Sequence, residues 1–312
     1  MTTRLVTEPK EAGLRLDLYV SENCSLSRSA AAKILDCGGV LVCGKKKEKN
    51  YRLKPGDIVE VSVPEPFATN IEAQDLNLEV LYEDADLIVI NKRRGMVVHP
   101  AGQNQSDTLV NALLHHCGAS LSGISGEIRP GIVHRLDKYT SGVMVAAKND
   151  RAHLGLASQL KAHEIERTYN AVVFGSPGDH ATIDLPLGRS KKDFRKMAVY
   201  KDASPENKIK EAVTHCEILC GYSFKNSSYS HVALKLETGR THQIRAHMAH
   251  LGHPVVGDEV YGNAHVNKNF AFLGGQCLHS KSIKFVHPVS GERIFVESDL
   301  PDYFVKVLDM LG

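Results

Sequence analysis

The segment GIVHRLDKYTSG, residues 131–142, sets one carboxylate, Asp137, among His134, Arg135 and Lys138. Ile132 and Val133 read as the end of one strand and residues 143–147 as the next, with Ser141-Gly142 as the break between them. That places Asp137 at the tip of a strand-to-strand turn, where a rigid scaffold aims the side chain and leaves it open to substrate. The surrounding positive charge favours the ionised carboxylate, which suits Asp137 to act as a nucleophile or a base rather than an acid. A turn aspartate can equally serve only its own backbone. The loop alone therefore nominates a residue without naming a reaction.

The rest of the chain narrows the chemistry. No GxGxxG follows a predicted strand and no GKS or GKT occurs, so no nucleotide cofactor is expected. His242, His247, His250 and His253 crowd one region and raise the possibility of zinc. They form no HExxH, and the four cannot share one helix face, although His247 and His250 can. They read as satisfied or ligand-facing side chains, and no metal site is expected. A glycoside hydrolase would need two suitably spaced carboxylates, and the best loop holds only one.

Seven cysteines, an odd number with no CxxC pair, argue against a disulfide framework. On a strand, Cys216 and Cys220 would stand about 13 Å apart, too far to bond. Reduced thiols fit the cytoplasm. An apolar content of 42% and a charged content of 24% are those of a soluble globular chain. No apolar run approaches the roughly 20 residues that span a bilayer, and the N-terminus lacks a hydrophobic signal core. A cytoplasmic protein without membrane attachment is expected.

The elements that must position Asp137 fall into two groups. Residues 14–63 read as a compact unit. Its first helix buries Leu16, Tyr19 and Val20, and its second, capped by Ser27, buries Ile34 and Leu35 before stopping at Gly38-Gly39. A turn and the alternating strand IVEVSV complete it. Residues 1–63 carry a net charge of +3 and the remainder −1, with the sharpest basic run at KKKEKNYRLK, residues 45–54. Pro64-Glu65-Pro66 opens a linker expected over 64–75. From 76 to 312 the chain is strand-rich. LEVLYE pairs with LIVIN across EDAD, Asp107 caps a helix carrying Leu109, Ala112 and Leu113, and Asp150 caps another with Leu154, Leu156 and Leu160. Strands at IERTYNAVVF, EAVTHCEIL and HVALKLE precede a helix in THQIRAHMAHLG, a hairpin at HPVSGE and a closing helix near 301–311. Strands mixed irregularly with helices predict an α+β domain with a mixed, largely antiparallel sheet.

Five segments together carry a resemblance: NKRRGMVVHPAG (91–102), the Asp137 loop, ERTYNAVVFG (166–175), LETGRTHQIRAHMAHLGHPVVGDEVYG (236–262) and LHSKSIKFVHPVSGE (278–292). In order and spacing they resemble the RluA/RluD family of pseudouridine synthases over nearly the whole chain. The resemblance implies the pseudouridine synthase fold and the isomerisation of uridine in RNA. It assigns catalysis to Asp137, base extrusion and gap filling to Arg135, and to Tyr169 both stacking on the uracil and assistance in removing its carbon-5 proton. Arg245 pairs with the catalytic aspartate, and Ile244 lines the uracil pocket. Arg240 and His242 are left as RNA contacts. Whether Asp137 attacks the sugar, attacks the base or takes the sugar's 2′ proton stays open.

Two positions depart from the family pattern. NKRRG stands where NKPxG is usual, which is expected to loosen that turn, and Tyr139 replaces the aspartate of the RluD-like HRLDKDTSG. The stretch 97–114 is closer to the RluD-like branch. Two small helices followed by a basic hairpin resemble an S-four-type RNA-binding domain, a small α/β unit, which implies RNA contacts by Arg28, Lys33, Lys45, Lys46 and Lys47. The expected partner is ribosomal RNA or a precursor of the large subunit, met by a monomer.

Overall fold

A computed structural model of the protein describes residues 2–24, 28–62, 71–100, 106–123 and 130–312, with the backbone alone at 2, 28–30, 33 and 119. Two compact units divide at Asn70 and Ile71. In the first, strand β1 (Thr2–Val6) precedes helices α1 (Leu16–Asn23) and α2 (Arg28–Asp36), followed by β2 (Val40–Val42), β3 (Lys45–Lys46) and β4 (Ile58–Ser62). The antiparallel sheet runs β1-β4-β2-β3. Leu16, Tyr19, Val20, Ile34 and Leu35 fill the core against Val40, Val59 and Val61, as the helical and strand periods predict. The first strand went unread in the sequence, although it pairs with β4 along its whole length. The Ser27 cap and Pro64-Glu65-Pro66 lie outside the described residues.

The second unit takes in more chain than expected, since the last residues assigned to the linker belong to it. Ile71 packs on its core, Gln74 accepts from the Asp107 amide, and the Asn111 side chain donates to the Glu72 carbonyl. Its strands are β5 (Glu79–Glu83), β6 (Leu87–Lys92), β7 (Ser141–Ala147), β8 (Glu166–Phe174), β9 (His180–Asp184), β10 (Leu187–Arg189), β11 (Met197–Val199), β12 (Val213–Phe224), β13 (Ser227–Leu236), β14 (Leu278–Val286) and β15 (Arg293–Glu297). Helices α3 (Leu109–Cys117), α4 (Asp150–Lys161), α5 (Gln243–His250), α6 (Ala264–Asn267) and α7 (Asp302–Leu311) surround them. Nine strands form one sheet in the order β5-β6-β7-β14-β8-β13-β12-β9, with β15 along β14, while β10 and β11 form a separate ribbon. Every pair is antiparallel except β7 with β14, so the sheet is mixed and largely antiparallel, in an α+β domain.

Both faces of the centre are covered, which explains the unbroken apolar runs of β6 and β7. Ile88, Ile90, Met144 and Ala146 meet α3 and α5 through Leu109, Leu113, Ile244 and Met248. Leu87, Val89, Val143 and Val145 meet α4 through Ala152 and Leu156. Two expected caps are each off by one residue. Thr108, in a reciprocal box with Asn111, caps α3, and Asn149 caps α4. Asp107 instead sits at φ +57°, and Asp150 accepts from the Ser122 hydroxyl. Leu154, expected on the buried face of α4, is 60% exposed, because the helix turns Ala152, His153 and Leu156 inward.

The parallel pair brings two backbones close at Gly142. Its φ is +112°, and a Cβ there would stand 2.2 Å from the Ser280 carbonyl oxygen. Gly142→Ala is therefore expected to cost about 3 kcal/mol in urea unfolding. Gly178→Ala, at φ +90° with open space around it, should cost only roughly 1 kcal/mol.

Candidate active site

Asp137 lies in the loop that leads into β7 at the middle of the sheet. The segment before it is not a strand, contrary to expectation. Ile132 forms a lone antiparallel bridge to Ala146, and Gly131 at φ +71° turns the chain back against β7. The loop folds onto the strand it feeds. His134, counted above among the cations, has a different part. Burial pushes its pKa down to about 3, and its Nε2 accepts the Val145 amide at 3.1 Å, so the ring is neutral and pins the loop.

Further braces hold the segment just after the carboxylate. The Gly95 amide donates to the Lys138 carbonyl at 2.8 Å. Lys92, only 1% exposed, reaches the carbonyls of Arg93, Met96 and Lys138 at 3.0, 2.9 and 3.4 Å. Burial pushes its ammonium down to about 7, partly offset by the charge of Asp137. Arg94 donates to the carbonyls of Tyr139, Gln276 and Leu273 at 3.2, 2.7 and 2.9 Å. Its guanidinium also lies 4.3 Å from the Tyr303 ring centre and 5.7 Å from that of Tyr139. Arg94 thus ties this turn to the Asp137 loop, so the segment is braced with Arg93 standing where proline is usual.

The functional centre is a chain of charges. Arg245, on α5, donates from Nε and Nη2 to the two oxygens of Asp258 at 2.6 and 2.9 Å, and from Nη1 to Asp137 Oδ2 at 2.8 Å. Asp258 is fully buried, and its Oδ1 also accepts the Val260 and Tyr261 amides. Burial opposes the charge on Arg245, but Asp258 first and Asp137 second outweigh it and raise the guanidinium's pKa. Arg245 is a permanent cation with a fixed fork. Asp137, its side chain 18% exposed, keeps Oδ1 turned to His242 Nε2 at 3.9 Å. His242 itself stands at φ +53°, a conformation that costs a non-glycine residue energy, and its Nδ1 meets the Tyr261 hydroxyl at 3.1 Å.

A cavity opens over this carboxylate. All seven residues assigned to catalysis or substrate in the second unit line it: Arg135, Asp137, Tyr169, Arg240, His242, Ile244 and Arg245. Leu136, Leu236 and Leu278 add apolar wall, so the pocket joins one ionised oxygen to faces fit for a flat, weakly polar base. Burial raises the pKa of Tyr169, and its hydroxyl bonds Ser280, so the resting phenol is protonated. Arg240 is partly engaged, its Nε donating to the Glu211 carbonyl at 2.9 Å. Sequence reading missed Asp258, Lys92 and Tyr261. Asp258 and Tyr261 stand within GHPVVGDEVYG and Lys92 within NKRRG, so both motifs held the signal without the partner that gives it meaning.

Among the first unit's candidate RNA contacts, the described side chains share no partner. Lys45 and Lys46 are exposed on β3, Lys46 reaching the Asp36 carbonyl at 3.3 Å, and Lys47 lies over the Tyr51 ring. Arg28 and Lys33 are on α2, with side chains outside the described set. The crowded histidines do not converge either. His247 is held by Thr214 and the Leu185 carbonyl, and His253 by the Phe174 carbonyl. Among the described residues, the group spaced to hold a cation is Asp84, Asp86 and His287, and it is tied up internally. Asp84 meets His287 at 2.9 Å and accepts the Asp86 and Leu87 amides, and Asp86 accepts from Asn149.

The fold and this pocket define an RNA-modifying isomerase of the pseudouridine synthase class. Human RNA Pseudouridylate Synthase Domain Containing 1 has a similar structure, with a TM-score of 0.58 and 27% identity over 76% of this chain and 88% of that one. The family of RNA pseudouridylate synthases matches over residues 86–250. The Uncharacterized RNA pseudouridine synthase YlyB of Bacillus subtilis is 44% identical over 95% of this chain and 94% of its own length. Ribosomal large subunit pseudouridine synthase D of Zymomonas mobilis is 41% identical over 100% of this chain and 98% of its own. The chain belongs to the RluA/RluD family of RNA pseudouridine synthases.

The two carboxylates on Arg245 should separate on mutation. Asp258→Ala leaves a buried guanidinium short of its main partner and is expected to cost about 3–5 kcal/mol of stability. Asp137→Asn gives up one partly exposed bond and should cost about 1 kcal/mol or less. It should nevertheless abolish pseudouridine formation while RNA affinity falls less than about tenfold. Thermal unfolding, filter binding and pseudouridine mapping on both variants check the split.

Proposed function

We propose that this enzyme isomerises clustered uridines in a helix-loop of large-subunit ribosomal RNA, acting as a cytoplasmic monomer. The observation that carries the chemistry is the meeting of Asp137, Arg245, Tyr169 and Ile244 in one cavity with an exposed Arg135 beside them. Isomerisation breaks the bond from N1 to the anomeric carbon, turns the uracil, joins C5 to that carbon, and moves a proton from C5 while N1 gains one. Nothing is oxidised or reduced, so the reaction asks for no hydride or phosphoryl donor.

Each of the three roles open to Asp137 needs one ionised oxygen at the reacting edge. Oδ2 is held by Arg245, and Oδ1 serves that part. The uridine must leave its helix to reach it, and Arg135 fills the gap with a guanidinium that can stack and bond phosphate together. Tyr169 stacks on the extruded uracil, its hydroxyl kept protonated by burial. In the first unit, Arg28, Lys33 and Lys45 to Lys47 recruit the RNA through its phosphates. The large-subunit target is supported by the relatives named Ribosomal large subunit pseudouridine synthase D at 41%, 39% and 41% identity and by residues 97–114. Seven unpaired cysteines suit a reducing compartment.

Chemical mapping of pseudouridine in RNA from cells with and without the gene, and in ribosomal RNA treated with purified enzyme, tests the target. Loss of marks from one large-subunit loop, restored in vitro, is the expected result. A tRNA site lost instead would refute the target and leave the chemistry standing. Turnover should persist in excess chelator, and loss restored by zinc would contradict this account. Tyr169→Phe should keep the flipped base bound, and carbon-5 tritium release at the wild-type rate would confine Tyr169 to stacking.

A further inference from the structure

The second unit carries a net charge near zero, yet its residues 187–210 hold eight Lys and Arg against three Asp and Glu. They build the β10–β11 ribbon and the loop after it. At the ribbon's tip stands Phe194, 80% exposed, the most exposed large apolar side chain among the described residues. Lys191, Lys192 and Arg195 flank it. A ring placed so openly gains nothing from the fold, because burial of its apolar surface is what would stabilise it. The tip is nevertheless held firmly. Ser190 Oγ accepts the Lys192 and Asp193 amides, Arg195 pairs with Asp193, and Arg189 Nη1 donates to the Phe194 carbonyl at 3.1 Å. Lys191 and Lys192 meet no carboxylate within 4.0 Å among the described residues.

The ribbon is joined to the catalytic cavity. The Met197 amide donates to the Tyr261 hydroxyl at 2.6 Å, and the same hydroxyl meets His242, which lines the Asp137 pocket. A second hollow, lined by Met197, Lys208, Lys210 and Arg240 among others, shares Arg240 with that pocket. Cationic side chains therefore extend from the Asp137 pocket to the foot of the ribbon.

We propose that the β10–β11 ribbon is a second RNA-contacting surface of the enzyme, in which Phe194 stacks on an unpaired base beside the extruded uridine while Lys191 and Lys192 hold adjoining phosphates. An exposed aromatic ring set beside unpaired cations is the pattern that receives looped or single-stranded RNA, since every base offers a face for stacking and every nucleotide a charge. A braced tip loses little freedom on binding. The inference rests on the RNA-isomerase reading for the kind of partner, but not on which RNA is modified.

The chain contains no tryptophan, so Phe194→Trp introduces a single indole at the tip. The probe is the transcript that wild-type enzyme modifies in the mapping above, ribosomal fragment or tRNA, so failure of the ribosomal target leaves this test intact. Indole emission should be quenched on saturation with that RNA, whereas a single indole from Phe295→Trp, on β15, should not respond. Phe194→Ala should weaken RNA binding roughly tenfold. Replacing Lys191 and Lys192 together by Ala should reduce the slope of log affinity against log salt by about 1.4–1.8. An unquenched indole, with affinity and salt slope unchanged in the other variants, would overturn the proposal and leave the ribbon to a protein partner.

Discussion

A guanidinium buried between two carboxylates organises this enzyme. Arg245 cannot shed its charge, and a buried cation without a partner costs several kcal/mol. Asp258 meets that demand first, with two bonds from inside the fold, and only the remaining Nη1 reaches Asp137. The order matters. Because the arginine is oriented from behind, Asp137 needs to give up only one oxygen to be held, and the other stays free for the role proposed for it. A catalytic group held this way is preorganised without being sealed off.

That arrangement requires the loop bearing Asp137 to stay fixed although it is no regular element. The parallel contact of β7 with β14 supplies the base, through a glycine where no side chain fits. Lys92, Arg94 and His134 supply the rest, each bonding backbone atoms of the loop or of the strand after it. Backbone partners suit this task, since a carbonyl or an amide holds a side chain without competing for the charge on Asp137. Arg94 also reaches Tyr303 on the closing helix, so the last element of the chain helps to hold the loop.

On the proposed function, recognition is spread over surfaces with different physics. The cavity offers flat apolar walls and one fixed charge, which suits a single base removed from its stack. The basic ribbon offers charges and a bare ring, which suit the strand around that base. Division of this kind lets one pocket act on several uridines, because the base is read inside and the backbone outside.

Much of the fold was legible from period alone. The buried faces of α1 and α2 and the doubly covered strands β6 and β7 follow from apolar spacing, which local geometry imposes. Asp137 was legible as one carboxylate among cations, and Arg245, Tyr169 and Ile244 through motifs long enough to fix their order. Exact caps were not, since Asp107 or Thr108, and Asp150 or Asn149, satisfy the same local pattern and packing chooses between them. Nor could the sequence disclose Asp258, because a carboxylate's meaning lies in the partner that folding brings to it from 13 positions away on the chain. His134 shows the same limit: a histidine beside an arginine reads as a cation, and only burial against β7 makes it a neutral acceptor. The chain itself determined which residue types are available and their periodic faces; the tertiary structure alone decided which charges are paired, because pairing depends on distance and solvent, and neither is written in residue order.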